Sequence, residues 1–402
     1  MSKRSAVIVG GGIVGLATAH QLADRGWDVQ VLEKEPRVGM HQSGRNSGVI
    51  HSGVYYTPGS VKAETCAAGR QLLEEYCDSR GILWRRCGKV IVAVDEEERG
   101  RLGEIERRGR ANGVACERID RRKLHGIEPH IAGVEALWVP EAGVVDYGQV
   151  CNALADDIEA GGGSVRTNTE VRGIRTRRDG VLVETEAGDM LAADAAVNCG
   201  GLWSDRLAEA SDGAAPPVHI LPFRGEYHQL GSRAACHVKG LVYPVPDPRF
   251  PFLGVHLTRH IDHRVTAGPN AVLALARDGY TWQSIRLGDL FASLRSKGLR
   301  KLARRYPVTG LAEMWRSLNR RAFLAAAQRL MPSLQLSDLR PHRAGVRAQA
   351  IDPDGSLADD FRLLRRPRVV HVLNAPSPAA TACLAIGDRV AEALTEACSG
   401  SS

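Results

Sequence analysis

The chain has 402 residues, 44% of them hydrophobic and 25% charged, a balance that allows a sizeable core and excludes a disordered or collagen-like chain. The +7 net charge is concentrated, because residues 284–331 carry eleven Lys or Arg (Arg286 through Arg329) against Asp289 and Glu313. Nine scattered cysteines without a CxxC pair exclude a disulfide framework or a zinc site as the organising principle, and no apolar run approaches the ~18 residues of a bilayer span.

Taken in chain order, Ala6–Val9 reads as a strand that enters Gly10-Gly11-Gly12-Ile13-Val14-Gly15 and then an apolar helix through Leu16, Ala19 and Leu22. Gly26 stops that helix, and Val29–Leu32 is a second strand ending at Glu33. This is GxGxxG in the context it needs. Gly10 permits the turn, Gly12 lets the backbone approach a pyrophosphate, and Gly15 packs helix on strand. The phosphates sit on the free amides of the helix start, and Glu33 is placed to accept from a ribose. The motif alone does not separate FAD from NAD. His41–Tyr56 follows, too glycine-rich and polar for a core element, and suits a cofactor that extends past its pyrophosphate to a buried ring. FAD fits that demand.

Beyond the loop, Ser60 caps a predicted helix from Val61 to about Arg80. Lys89–Val94 reads as a strand, Asp95–Asn112 as a charged helix, and Asp146 caps a helix over Tyr147–Ala160. Gly161-Gly162-Gly163-Ser164 precedes a strand and is a turn. A hairpin joins Val171–Arg177 to Val181–Glu186 through Asp179-Gly180. Ala193–Asn198 is a buried strand leading through Gly200, Gly201 and Trp203 into a helix. Residues 217–275 alternate strands with proline-rich turns. The pattern then becomes helical: Leu287, Leu290, Phe291 and Leu294 share one face, and so do Leu311, Met314, Trp315 and Leu318. That basic segment has two readings, amphipathic helices packed on the second domain or a surface element that visits anionic lipid.

Several strings carry a family resemblance. Glu33–Tyr56 with Pro58-Gly59-Ser60, Leu221–Tyr227, Leu241–Asp247, Gly254–Arg259, Gly345–Gln349 and Asn374–Thr381 closely resemble the L-2-hydroxyglutarate oxidase/dehydrogenase family of D-amino-acid-oxidase-like flavoproteins. One departure is Arg45, where that family is expected to have histidine. The resemblance implies an α/β fold, with a Rossmann-like FAD-binding domain and a second α+β substrate domain on a mostly antiparallel sheet. The expected boundaries are 1–85, 141–216 and 338–402 for the discontinuous FAD domain, with 86–140 and 217–337 for the substrate domain.

Oxidising a 2-hydroxy acid requires a base for the hydroxyl proton and a cation for the carboxylate beside the flavin. His256 is the first candidate for the base, and His51 the competitor, which can alternatively bond or carry the flavin. Arg347 is the leading carboxylate clamp. Arg259 and Arg224 are candidates for a distal carboxylate, and Tyr55, Tyr243 and Arg45 for further substrate contacts. The expected cofactor contacts are Gly10, Gly12, Ile13, Val14, Gly15, Glu33, Lys34, Gln42, Ser43, Ser47, Gly48, Val49, His51, Gly200, Trp203, Ser377, Ala379, Ala380 and Thr381.

The expected activity is oxidation of L-2-hydroxyglutarate or a close 2-hydroxy acid, with oxygen or a membrane quinone reoxidising the flavin. An amine or amino-acid oxidase, a repurposed oxidase of a larger metabolite, and a non-catalytic flavin-binding docking protein are the alternatives. Nucleic-acid binding is not supported. The start runs directly into a strand, so no signal peptide and a cytoplasmic location are expected, with contact to the inner face of the cell membrane left open.

Overall fold

The computed structural model describes residues 3–212, 216–247 and 253–399; residues 248–252 of the proline-rich stretch lie outside them. Six strands form one sheet in the order Arg362–Arg366, Val369–Asn374, Ala195–Asn198, Ser5–Val9, Asp28–Leu32 and Ser164–Arg166. All neighbours are parallel except the first pair. The four inner strands are largely buried on both faces, which explains their short continuous apolar runs, whereas the two edge strands are half-buried. Ile13–Asp24, Tyr147–Ala160 and Cys383–Ser399 cover the sheet and share its largest apolar core. Contact between the first and last of these helices is intimate. A Cβ on Gly387 would lie 2.6 Å from the Ala17 backbone.

The expected helices form at Val61–Ser79, Glu96–Ala111 and Tyr147–Ala160, capped by the side chains of Ser60, Asp95 and Asp146. The expected hairpin forms at Val171–Thr176 and Val181–Thr185.

A second sheet of eight strands runs Leu339–Pro341, His228–Leu230, Val265–Gly268, His256–Arg259, Leu241–Pro244, Lys89–Ala93, Glu135–Val139 and Glu117–Asp120. Only Leu241–Pro244 and Lys89–Ala93 are parallel. One face is apolar. Val90, Val92, Val242, Leu257, Val265 and Ala267 pack there with Phe323 and Ala327 of the helix Arg320–Gln328. Two strands beyond residue 338 pair with the second unit: Leu339–Pro341 joins the eight-stranded sheet, and Gly345–Ile351 pairs along His219–Gly225.

Within the basic segment Arg320–Gln328 packs on the second sheet as expected, but two other helices depart from the packed-helix reading. In Leu287–Arg295, Asp289 and Ser293 are buried whereas Leu287, Phe291 and Leu294 are exposed. In Pro307–Leu318 nothing is buried, and Val308, Leu311, Met314, Trp315 and Leu318 all face outward. The helices are inside out because their polar sides hold partners within the protein. Asp289 accepts from the Arg277 amide and pairs with Arg206. Glu313 accepts from the Ala271 amide, and Ser317 bonds Glu226 and Trp282. Periodicity gave the apolar stripe; these polar contacts decide its direction.

Candidate active site

The nucleotide end is built by the first strand, turn and helix. Gly10 has φ +107°, and a Cβ on Gly15 would lie 2.0 Å from the Gly10 carbonyl oxygen, so both positions demand glycine. A Cβ on Gly12 would meet only Ser43 Oγ, at 3.4 Å, leaving open space before the helix. That helix has no side-chain cap, and Ile13 N donates to Ser43 Oγ at 2.9 Å. Its uncapped start offers amides to an anion. Glu33 is buried and accepts from Gly11 N at 2.6 Å and Glu35 N at 2.9 Å. Lys34 lies 3.5 Å above the Trp203 ring, against which His41 also packs. Gly200 N donates to Asn198 Oδ1. This open glycine cradle with a carboxylate beside it fits the ADP half of FAD.

The loop from Gln42 to His51 runs from the cradle to the second sheet. Gln42 Oε1 accepts from Ala348 N at 2.7 Å, and Gly48 takes φ +68° against the Val145 carbonyl. The carbonyl of Val49 accepts from Tyr147 Oη at 3.0 Å, and Thr381 Oγ1 accepts from His51 N at 3.0 Å. Tyr147 was not anticipated from sequence, yet it joins Val49 to Thr381 at the loop's end. Ser377 Oγ lies 3.3 Å from His51 Nε2. Ala379 N closes a turn onto the Pro376 carbonyl, and Ala380 packs on the core beneath it. The C-terminal turn and the flavin loop thus meet at His51.

Facing this junction is the other side of the eight-stranded sheet, where a polar cluster sits beside the apolar patch of Ile91, Ala93, Leu137 and Val139. Lys89 is opposite Leu241, and Leu241 opposite Thr258. The two-residue period therefore puts Lys89, Tyr243, His256 and Thr258 on one face. The Tyr243 and His256 rings stack at 4.1 Å. The ammonium of Lys89 lies 4.6 Å from the Tyr55 ring centre and 5.1 Å from that of Tyr243. Ser52 Oγ, Tyr55 Oη and Lys89 Nζ are buried without a hydrogen-bond partner among the described residues. Ser47 reaches Tyr243, where burial above all holds the phenol proton on.

Burial governs the titration here. It pushes His256 down to about 3, against a bond to the Gly254 carbonyl and with help from Arg347 and Lys89. It likewise pushes His51 down to about 3, with Lys89, His256 and Lys62 adding to the effect. Tyr55 is raised by burial. Both imidazoles are therefore neutral at neutral pH. His256 Nδ1 is 3.0 Å from the Gly254 carbonyl, which can only accept, so Nδ1 carries the hydrogen and Nε2 the lone pair.

The structure does not bring all the expected arginines to this face. Arg259 is three residues from His256 and so points to the opposite side, where Nη1 donates to the carbonyls of Ala235 (3.4 Å) and Val238 (3.0 Å). Arg224 is fully buried under Trp282 and bonds Glu226 through Nε at 3.1 Å. Arg347 is opposite Phe223, and Arg224 opposite Val346, so the two guanidinium groups leave their strands on opposite faces. Arg347 bears electrostatically on His256 and on Tyr227. Arg45 is held over the Tyr280 ring at 4.0 Å, with Nε donating to the Met40 carbonyl. It lines a small cavity with Asn46, Tyr227, His260, Thr266, His342 and Arg343.

Comparison with known proteins agrees with this geometry. Residues 5–393 match the family described as FAD dependent oxidoreductase. The L-2-hydroxyglutarate dehydrogenase of Escherichia coli (strain K12) is 45% identical over 386 residues, covering 96% of this chain and 91% of the relative. The mitochondrial L-2-hydroxyglutarate dehydrogenase of Homo sapiens is 42% identical over 409 residues, covering 97% and 88%. Among solved structures, FAD-bound L-alpha-glycerophosphate oxidase from Mycoplasma pneumoniae superposes with a TM-score of 0.80 at 23% identity, over 98% of this chain and 95% of that one. Glycine oxidase from Geobacillus kaustophilus gives 0.71 at 21% identity over the same shares. At these identities the structural matches speak for the fold.

Proposed function

The chain belongs to the FAD-dependent oxidoreductases and, within them, to the L-2-hydroxyglutarate dehydrogenase family, and from that premise we propose that it oxidises L-2-hydroxyglutarate to 2-oxoglutarate. The observation that carries the reading is the charge of the buried polar cluster. Lys89 and Arg347 both bear on His256, and the Lys89 ammonium is buried with no hydrogen-bond partner among the described residues. Such a pocket attracts a dianion and disfavours a protonated amine, which argues against an amine or amino-acid oxidase.

FAD, when bound, would supply the two-electron acceptor for oxidation at C2. The residues of the chain do the rest. His256 Nε2 accepts the hydroxyl proton, because its tautomer presents a lone pair and the arriving dianion raises its proton affinity. Arg347 holds the carboxylate next to C2. Ser377 and Thr381 fix His51 at the end of the flavin loop.

The outward apolar faces of Leu287–Arg295 and Pro307–Leu318, within a basic segment, support a further element of this proposal. The protein rests on an anionic membrane surface and passes electrons to a quinone there. No helix among the described residues is long and apolar enough to cross a membrane.

The test is anaerobic mixing with L-2-hydroxyglutarate while following the flavin band near ~450 nm, since the flavin carries the electrons. Bleaching by the L enantiomer, and not by the D enantiomer or L-glutamate, is expected. A flavin that stays oxidised with the L enantiomer rules the substrate out.

A further inference from the structure

We infer that Lys89 is the residue that selects a dicarboxylate, its ammonium taking the substrate carboxylate distant from C2. The inference rests on the hydroxy-diacid reading above and adds the residue that recognises the second acid group.

Lys89 opens a strand in the middle of the eight-stranded sheet and is 1% exposed. An ammonium in such a place normally has a carboxylate beside it, since an unpaired buried charge costs several kcal/mol. Here Nζ has no hydrogen-bond partner among the described residues, and its close neighbours are the faces of Tyr55 and Tyr243. Two aromatic faces stabilise a cation in part and leave its donors unused. The site is thus short of one anion, on the face that carries His256. Arg259 and Arg224, the other candidates for the distal acid, are bound to carbonyls and to Glu226. Arg347 leaves its strand on the face opposite Arg224 and bears on His256, which suits the carboxylate next to C2, and Lys89, held between Tyr55 and Tyr243, is left for the far one.

The surroundings also keep Lys89 responsive to pH. Burial pushes it down to about 8, with Cys66 opposing. Around it, burial raises Tyr55 and Tyr243 and lifts Cys66 to about 12, while His51 and His256 are pushed down to about 3. Lys62, which bears on His51, is paired with Asp359, and Arg347 bears on His256. A diacid bound by the ammonium therefore binds fully below about 8. Its affinity falls as pH rises through that value.

The experiment titrates the FAD holoenzyme with glutarate and with butyrate, unreactive acids with and without the second carboxylate, and reads the flavin absorbance change. Lys89→Met should weaken glutarate about 100-fold, the order expected for stripping one partner from a buried charge pair, and leave butyrate within about twofold. Equal losses for both acids, or unchanged glutarate affinity, overturn the assignment. Should the variant lose its flavin, the wild type decides. Glutarate affinity should drop up to about tenfold per pH unit above 8 while butyrate stays level. A level glutarate profile overturns the assignment equally. If L-2-hydroxyglutarate fails to reduce the wild-type flavin, the proposed substrate falls, and the glutarate-to-butyrate comparison still decides the role of Lys89.

Discussion

Replacing Leu311, Trp315 and Leu318 together by serine should detach the protein from anionic vesicles without touching its chemistry. The three residues are 67%, 61% and 64% exposed and lie on one side of the helix Pro307–Leu318. Together they present roughly 400 Å² to solvent, taking an aromatic side chain at the size it buries in cores. If half of that area enters the acyl boundary, about 25 cal/mol per Å² gives about 5 kcal/mol. The expected loss of vesicle affinity is on the order of a thousandfold. Cosedimentation with vesicles containing phosphatidylglycerol, at low and at high salt, measures it. Wild-type binding should weaken with salt, because the segment's eleven basic residues contribute through screened attraction. Flavin reduction by substrate in solution should be unchanged in the variant. Wild-type protein that stays in the supernatant at low salt, or a variant that pellets as well as the wild type, refutes the argument.

Other consequences can be checked separately. Glu33→Ala removes two charge-assisted bonds, to Gly11 N and Glu35 N, and should weaken FAD about 100-fold or more in a fluorescence titration. His256→Gln should slow anaerobic flavin reduction by 10²–10⁴, the usual span for a lost general base, at little cost in melting temperature. Burial pushes Asp205 up, but His219 and the Arg277 pair prevail and hold it at about 2. The His219 contact is 3.9 Å, too long for a good hydrogen bond, so Arg277 is the main partner. Against an unfolded value of 3.8 the Asp205 carboxylate contributes about 2 kcal/mol above pH 3.8, lost as pH falls through about 2. Denaturant melts of wild type and Asp205→Asn should accordingly converge in acid, and a constant gap down to pH 2 would contradict this.

The nucleotide end was legible because every requirement there is local. The turn, the uncapped helix and Glu33 lie within one short stretch, and their spacing alone specifies the cradle. The substrate end was less legible because it depends on pairing between distant strands. Lys89 comes beside Tyr243 only through a parallel pairing of residues far apart in sequence. A lysine heading the run Val90-Ile91-Val92-Ala93 was the available signal, since such runs are buried on both sides. The position of Arg259 was within reach as well: three residues from His256 along a strand is an odd step and changes face. The direction of the apolar stripes on Leu287–Arg295 and Pro307–Leu318 was not legible. Periodicity defines a stripe, and the Arg277–Asp289 and Glu313–Ala271 contacts that turn it outward are tertiary.

The six-stranded sheet places Val369–Asn374 next to Ala195–Asn198, and the helix Cys383–Ser399 lies against the glycine-turn helix with the Gly387–Ala17 contact between them. During synthesis Ser5–Val9 and Ile13–Asp24 must therefore wait for Val369–Asn374 and Cys383–Ser399 before their shared core closes. Thr381, which anchors the flavin loop through His51, arrives equally late. The anchored flavin loop thus cannot form before these elements arrive, and until then the nucleotide-binding strands expose apolar surface that favours aggregation.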